Sequence, residues 1–280
     1  MRHVSQLRAL SAVAVLLVIP AYGDRDPGTG GRTVVAPATA ASARVGALFE
    51  GGLDGDHFCT ASVVHSADRN LIVTAAHCLD GQDDAVFVPG YRDGRAPYGT
   101  WPVEDTYTDD AWQEDGSEDD DVAFAVLGAG SLTGARVEDA VGAARLATPP
   151  PSDATADATP DTTATATAGT TAAPDTTATA DATATAGAAD TVTVTGYPSD
   201  ADSPLTCTNR TTRYGATQQR IECPGYSGGT SGSPWEAADG SVVGVIGGYE
   251  EGGDDPDVSY SIVFGPSTAE LFRLAGGEGC

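Results

Sequence analysis

Residues 71–78 read Leu-Ile-Val-Thr-Ala-Ala-His-Cys, an apolar run that ends in a histidine beside a cysteine. A short apolar run rich in β-branched residues predicts a buried β-strand. Similar runs recur at 45–49, 85–88 and 122–127, separated by clusters of Gly and Asp. Because helical periodicity is nearly absent between them, the sequence predicts an all-β fold.

Two further stretches contain residues suited to catalysis. Asp121 directly precedes the run at 122–127, where the rigid backbone of a strand would hold its carboxylate. Residues 229–234 read Gly-Thr-Ser-Gly-Ser-Pro and place Ser231 between glycines in a tight loop. A serine nucleophile needs a base, a group that orients the base, and N–H donors for the oxyanion. His77, Asp121 and Ser231 are therefore candidates for base, orienting group and nucleophile.

These three stretches, in this order, resemble the chymotrypsin-type (trypsin-like) serine protease family. They are most similar to its secreted bacterial branch, which includes the glutamyl endopeptidases. The resemblance covers about residues 44–275. It implies two antiparallel six-stranded β-barrels with the active site in the cleft between them. The sequence also predicts one C-terminal helix, because Ser267 and Glu270 are spaced as a capping box ahead of an apolar stretch.

The resemblance implies a role for each matched residue. His77 would be the general base and then the general acid, Asp121 would orient the imidazole, and Ser231 would attack the acyl carbon. The backbone N–H groups of Gly229 and Ser231 would form the oxyanion hole. No metal or other cofactor takes part in this chemistry.

The resemblance also indicates where the substrate would bind. The family's primary specificity residue lies six positions before the nucleophile, which is Gly225 here. The wall of the pocket is expected at Gly247, Gly248 and Tyr249. Glycine at the specificity position carries no charge and does not support a trypsin-type preference for Arg or Lys. Glu250 and Glu251 follow directly, and as an alternative their carboxylates would attract a basic side chain.

Composition changes along the chain predict five segments. The N-terminus has a basic head, an apolar run too short to cross a bilayer comfortably, and small residues, which is typical of a secretory signal peptide. An uncleaved anchor or a buried helix is the alternative. We expect a signal peptide at 1–23, a disordered leader or propeptide at 24–43, a β-barrel at 44–150, a disordered Thr/Ala-rich insert at 151–190, and a second barrel with the terminal helix at 191–280.

The formal net charge of -26, in a chain without lysine, excludes a nucleic-acid binder that works by neutralising phosphates. A signal peptide followed by no other apolar span predicts a secreted, extracellular protein that leaves the membrane after cleavage. We expect a monomer that acts on protein or peptide substrates.

Five cysteines are consistent with export, because disulfides persist in oxidising compartments. The sequence groups Cys59 with Cys78 and Cys207 with Cys223, and leaves Cys280 over. Cys280 would be a free thiol or form an intermolecular bridge.

Two metal-binding sites are weaker predictions than the disulfides and the catalytic residues. A zinc site from His57, Cys59, His77 and Cys78 is disfavoured because adjacent His and Cys fit one tetrahedral site poorly. The acidic stretch at 114–121 is an ordinary solvated loop, or a loosely held calcium site.

Chain order argues against other serine hydrolases. An α/β-hydrolase needs its histidine after the serine in the chain, whereas His77, the last histidine, precedes Ser231. The Gly-x-Ser-x-Gly motif of those enzymes would also need glycine at position 233, where this chain has Ser233. A subtilisin-type order from Asp54, His77 and Ser231 lacks the βαβ alternation that its parallel sheet requires.

The functional prediction is a secreted serine endopeptidase that works through an acyl-enzyme. The alternatives are a catalytically inactive homologue that serves as an extracellular binding module, and an esterase or selective processing enzyme on the same scaffold.

Overall fold

The computed structural model describes residues 30–147 and 191–277. The signal peptide predicted at 1–23, the insert predicted at 151–190 and Cys280 lie outside the described residues. Within the described ranges, no helix is long and apolar enough to cross a membrane.

Most of the regular secondary structure in the described residues is β-strand, as the sequence predicted. In chain order the strands are β1 (Val34–Val35), β2 (Val45–Glu50), β3 (His57–Val64), β4 (Leu71–Thr74), β5 (Ala85–Pro89), β6 (Trp101–Thr108), β7 (Ala123–Leu127), β8 (Arg145–Leu146), β9 (Val192–Gly196), β10 (Leu205–Asn209), β11 (Thr211–Tyr214), β12 (Gln218–Glu222), β13 (Pro234–Ala237), β14 (Ser241–Val245) and β15 (Val258–Ile262). The α-helices are α1 (Ala40–Arg44), α2 (Asp110–Asp115), α3 (Val137–Val141) and α4 (Pro266–Leu274), and 3-10 turns lie at Glu118–Asp120 and Tyr249–Gly252.

The first half of the chain forms a closed antiparallel barrel in the order β2–β3–β4–β7–β6–β5. Apolar side chains such as Leu48 and Ile72 fill its interior. Gly46 is required where β2 pairs with β5, because a Cβ there would lie 2.5 Å from both the Phe87 ring and the Val88 carbonyl oxygen. Closure removes the exposed edges of the sheet and explains why these short apolar runs are stable as strands.

The second half consists of a six-stranded sheet, β1–β10–β9–β13–β14–β8, and a three-stranded sheet, β11–β12–β15. Strands β14 and β15 lie side by side, and the Val245 N–H donates to the Ser261 hydroxyl at 3.1 Å. The Gly247 N–H donates to the Tyr260 carbonyl at 3.0 Å. These two hydrogen bonds link the six-stranded sheet to the three-stranded sheet. The β14–β8 pair is parallel rather than antiparallel.

The predicted disorder at 24–43 does not hold for residues 30–43. Strand β1 pairs with β10, the Gly31 N–H donates to the Glu222 carbonyl at 2.8 Å, and Ala36 is buried. Backbone pairing with the second half therefore orders a segment whose composition resembles a linker.

The predicted C-terminal helix is present as α4, but the predicted capping box is wrong. The helix begins at Pro266 with Gly265 as its N-cap, and the Gly265 N–H donates to the Thr268 hydroxyl at 3.4 Å. Ser267 lies inside the first turn, and Glu270 forms an ion pair on the helix surface. Proline at the first helical position fixes the start because it has no N–H to satisfy there.

A shared apolar cluster joins the two halves. The rings of Phe124 from β7 and Phe272 from α4 are 5.3 Å apart. The helix therefore completes the core between the halves rather than lying on the surface. The buried members of the cluster are Val64, Leu71, Val73, Val122, Phe124, Ala144, Val242, Val245, Ile262, Phe264, Leu271, Phe272 and Ala275.

Replacing Phe272 by alanine should therefore lower the free energy of unfolding by about 3–5 kcal/mol, the cost of a large cavity in a packed core. Leu274→Ala on the same helix is the control, because Leu274 is 56% exposed. Its effect should stay within about 0.5 kcal/mol. Urea unfolding measures both, and equal losses would contradict a core role for α4.

Candidate active site

His77 lies in a turn directly after β4. The preceding Ala75 and Ala76 are fully buried, which fixes the backbone that leads into the turn. The predicted disulfide between Cys59 and Cys78 is present and ties the turn to β3. The position of His77 is thus set by two neighbouring strands of the barrel and by a covalent bond at the next residue.

Asp121 is fully buried just before β7, and strand register brings it beside His77 because Ala123 pairs with Thr74. Its Oδ1 accepts a hydrogen bond from the His77 backbone N–H at 3.1 Å. Its Oδ2 lies 2.8 Å from His77 Nδ1 and accepts from the Gly248 N–H at 2.8 Å. Three N–H donors therefore compensate the burial of this carboxylate.

The contact with Asp121 determines the histidine tautomer. A carboxylate oxygen only accepts, so we assign the proton on the neutral ring to Nδ1 and leave Nε2 as an acceptor. An imidazole held in this way can take a proton at Nε2 from a hydroxyl group.

The loop around Ser231 is held between the two halves of the chain. The Thr60 N–H of β3 donates to the Ser231 carbonyl at 2.8 Å, and the Gly232 N–H donates to the Ile246 carbonyl at 2.7 Å. Gly232 has φ +79°, and a Cβ there would lie 2.1 Å from the Thr60 carbonyl oxygen. Glycine is therefore necessary for the loop to approach the barrel this closely.

The residues predicted to form the oxyanion hole lie in the same loop. Gly229 has φ +89°, and its carbonyl accepts from the Thr60 hydroxyl at 3.0 Å. Within residues 30–147 and 191–277, neither the Gly229 N–H nor the Ser231 N–H donates to a protein acceptor. Both donors are therefore available to a bound ligand.

Two cavities meet at Ser231. The first, which we call the Tyr226 cavity, has a volume of about 320 Å³ and is lined by Tyr226, Ile246, Glu251 and Ser231 among others. The second, the His77 cleft, has a volume of about 560 Å³ and is lined by both His77 and Ser231. In the described part of the chain no direct hydrogen bond joins Ser231 to His77, and such contacts often tighten only when substrate is bound.

The predicted pocket residues lie next to the cavity rather than in its lining. Tyr226 lines the cavity where Gly225 was expected, and Ile246 lines it where Gly247 was expected. The Gly248 N–H is directed to Asp121, and Tyr249 packs against other tyrosine rings. None of the four residues lines the Tyr226 cavity, and their role in binding substrate stays a prediction.

Tyr226 contributes its ring rather than an ionisable group to the cavity. Its hydroxyl donates to the Val194 carbonyl at 2.8 Å, and burial raises its pKa far above the ordinary value. The phenol therefore stays neutral, and the cavity wall at this point is apolar.

Several residues of the two metal-binding alternatives bond to other protein groups. Cys59, His77 and Cys78 lie close together, but the two sulfur atoms are bonded to each other and offer no thiolate. In the acidic loop, Glu118 accepts from the Glu250 N–H at 2.9 Å, and Asp119 accepts from the Gln218 amide at 2.9 Å. These carboxylates join the loop to the second half.

Comparisons with known proteins agree with the fold. The family model for trypsin matches residues 32–263, and the chain belongs to the trypsin family of serine proteases. No curated protein sequence matches the chain significantly.

Solved structures show the same chymotrypsin-like fold. The protease Anisep from Arthrobacter nicotinovorans has a TM-score of 0.62 and 23% identity, over 85% of this chain and 97% of its own. The thermostable serine protease AL20 from an extremophilic microorganism has a TM-score of 0.62 and 25% identity, over 85% and 99%. A Glu endopeptidase in complex with MPD has a TM-score of 0.61 and 16% identity, over 89% and 98%.

Removing the disulfide beside His77 should disturb the site more than removing the other one. The two predicted bridges, Cys59–Cys78 and Cys207–Cys223, span 19 and 16 residues. Replacing either pair by alanine should lower the free energy of unfolding by about 3 kcal/mol in urea, because the loops are of similar length. Only loss of the first pair should alter the NMR signal of the His77 Nδ1 proton. An unchanged signal would contradict a positioning role for that bridge.

Proposed function

We propose that the chain is a secreted serine endopeptidase that hydrolyses peptide bonds through an acyl-enzyme. The observation that carries the proposal is the 2.8 Å contact between His77 Nδ1 and the buried Asp121 carboxylate, in a cleft that Ser231 also lines. This contact leaves Nε2 ready to accept a proton beside a candidate nucleophile.

In the proposed first step, Ser231 Oγ attacks the substrate carbonyl carbon and its proton passes to His77 Nε2. The negative charge moves to the carbonyl oxygen, where the N–H groups of Gly229 and Ser231 stabilise it. Asp121 stabilises the imidazolium and stays ionised. His77 then gives its proton to the leaving amine, the C–N bond breaks, and the acyl group remains on Ser231.

In the second step water takes the place of the amine. His77 accepts a proton from the water as the water oxygen attacks the acyl carbon. Breakdown of this intermediate releases the carboxylic acid, and the proton returns to Ser231. Asp121 and the two N–H donors have the same roles as before.

The wider proposal concerns location and partners. Two disulfides favour an exported protein, and family membership favours protein or peptide substrates. We propose a monomer with a barrel at 44–150, an insert at 151–190 and a second half at 191–280, preceded by a cleaved signal peptide at 1–23.

The Ser231→Ala variant should lose hydrolysis of a mixed peptide library, with kcat lower by about 10⁶, by analogy with nucleophile loss in subtilisin. Ser241→Ala is the matched control, because Ser241 is on β14 and bonds to Asp239 at an exposed turn. If both variants cleave as the wild type does, Ser231 is not the nucleophile. If the wild type cleaves nothing, the binding-module alternative replaces the enzyme.

The Asp121→Asn variant should keep the fold but lower kcat by about 10⁴, because an amide favours the wrong histidine tautomer, as in the chymotrypsin-type triad. The control is Asp120→Asn, whose carboxylate accepts from the Ser117 hydroxyl at 2.7 Å rather than from His77. Steady-state kinetics on one peptide substrate measures both. Equal losses of kcat would show that removing a negative charge from this loop, rather than breaking the contact with His77, causes the effect.

A further inference from the structure

The hydrogen bond from the Gly248 N–H to Asp121 is made by a segment with little rigidity of its own. Gly247 and Gly248 are consecutive glycines, and Gly248 has φ +80°, a conformation that glycine adopts without strain. The Gly248 N–H donates to Asp121 Oδ2 at 2.8 Å, beside the contact of the same oxygen with His77 Nδ1. On the N-terminal side the Gly247 N–H is bonded to the Tyr260 carbonyl. Two glycines leave the backbone many alternative conformations, so the C-terminal side needs an anchor as well.

The Gln218 side chain supplies that anchor. Gln218 lies on β12, the central strand of the three-stranded sheet, and is only 6% exposed. Its Oε1 accepts a hydrogen bond from the N–H of Tyr249, the residue directly after Gly248, at 2.8 Å. The amide also packs against the glycine itself, because a Cβ at Gly248 would lie 2.8 Å from Gln218 Oε1. A buried side chain on a paired strand therefore fixes the backbone that follows Gly248.

The other end of the same amide bonds to the loop that leads into Asp121. Gln218 Nε2 donates to Asp119 Oδ1 at 2.9 Å and to the Glu118 carbonyl at 3.4 Å. Asp119 lies two residues before Asp121 in the chain. One amide group therefore bonds to both of the segments that bring Asp121 and Gly248 together.

The donors and acceptors around Gln218 match an amide and not a carboxylate. The Tyr249 N–H only donates, so it faces Oε1, and the ionised Asp119 carboxylate only accepts, so it faces Nε2. A more exposed bond from the Glu250 N–H to the Glu118 carboxylate, at 2.9 Å, joins the same two segments. Water competes with that exposed bond, whereas a buried hydrogen bond is electrostatically stronger. We therefore expect the Gln218 amide to be the stronger of the two links.

We infer that Gln218 is a positioning residue of the proposed protease. It holds the Gly248 N–H on Asp121 Oδ2, and this donor keeps the carboxylate aligned with His77 Nδ1 while the imidazole gains and loses its proton. Gln218 lines neither the Tyr226 cavity nor the His77 cleft, so it acts through Gly248 and not on the substrate. This inference rests on the proposed function and adds a residue to its mechanism.

Gln218→Met tests the inference, because methionine keeps an unbranched side chain and forms neither hydrogen bond. Its kcat should fall about 10- to 100-fold, as when a catalytic group is misplaced, and its KM should stay within about twofold. Gln219→Met is the matched control. Gln219 is the next residue of β12 and is 1% exposed, and successive side chains of a strand point to opposite faces. Its kcat should stay close to that of the wild type.

The amide proton of Gly248 gives a readout that does not depend on catalysis. A hydrogen bond to a carboxylate moves an amide proton to high frequency in the NMR spectrum. In Gln218→Met this signal should move to lower frequency, because the N–H no longer points steadily at Asp121. In Gln219→Met it should stay where it is in the wild type.

A charge-conserving exchange provides a second, independent variant. Gln218→Glu alone places a carboxylate against Asp119 and should lower kcat about as far as Gln218→Met does, because like charges repel. Adding Asp119→Asn supplies an amide donor for the new carboxylate and returns the net charge to that of the wild type. The Gln218→Glu/Asp119→Asn double variant should therefore recover most of the lost kcat, since residues in contact couple in this way.

The outcomes separate the inference from the proposed function. If Gln218→Met keeps the wild-type kcat while Ser231→Ala abolishes cleavage, the inference is overturned and the enzyme stands. Equal losses in Gln218→Met and Gln219→Met, a loss through KM alone, an unchanged Gly248 amide signal, or no recovery in the double variant also overturns it. Cleavage that survives Ser231→Ala overturns the proposed function, while the amide signal still shows whether Gln218 holds the contact.

Discussion

The buried carboxylate of Asp121 is the feature on which the arrangement of the site depends. It accepts from two N–H groups of His77 in the first half of the chain and from the Gly248 N–H in the second half. A fully buried carboxylate is tolerated only when such donors are in place, so the geometry of the site depends on correct docking of the two halves. Gly247 allows this approach, because a Cβ there would lie 2.8 Å from Asp121 Oδ2.

Further contacts between the halves keep this geometry. Thr60 of β3 donates to the Ser231 carbonyl, and helix α4 fills the core between the halves. Strands β8 and β9, which flank residues 148–190, belong to the same six-stranded sheet and are separated by two strands. At about 4.8 Å between neighbouring strands, β8 and β9 lie only about 15 Å apart.

Sequence patterns predicted those features that depend on local residue type. Short β-branched runs such as 71–74 predicted strands. The residues next to His77 and Ser231 in the sequence marked these two as candidates, and the fold brings both to one cleft. Their catalytic roles stay predictions. The order of residues 30–43 was missed because it comes from pairing with β10, more than 160 residues away. The capping box was wrong because Pro266 starts the helix one residue before Ser267. The lining of the Tyr226 cavity depends on loop geometry at Glu251, which counting along the chain cannot supply.

The central claim is that His77, oriented by Asp121, activates Ser231. Labelling with a fluorophosphonate followed by peptide mass mapping tests it most directly, because the reagent captures an activated serine without any assumption about substrate. The account predicts one adduct per chain, on Ser231, and almost no adduct in a folded His77→Ala variant. An adduct on another residue, or labelling of Ser231 that is as fast without His77, would contradict it.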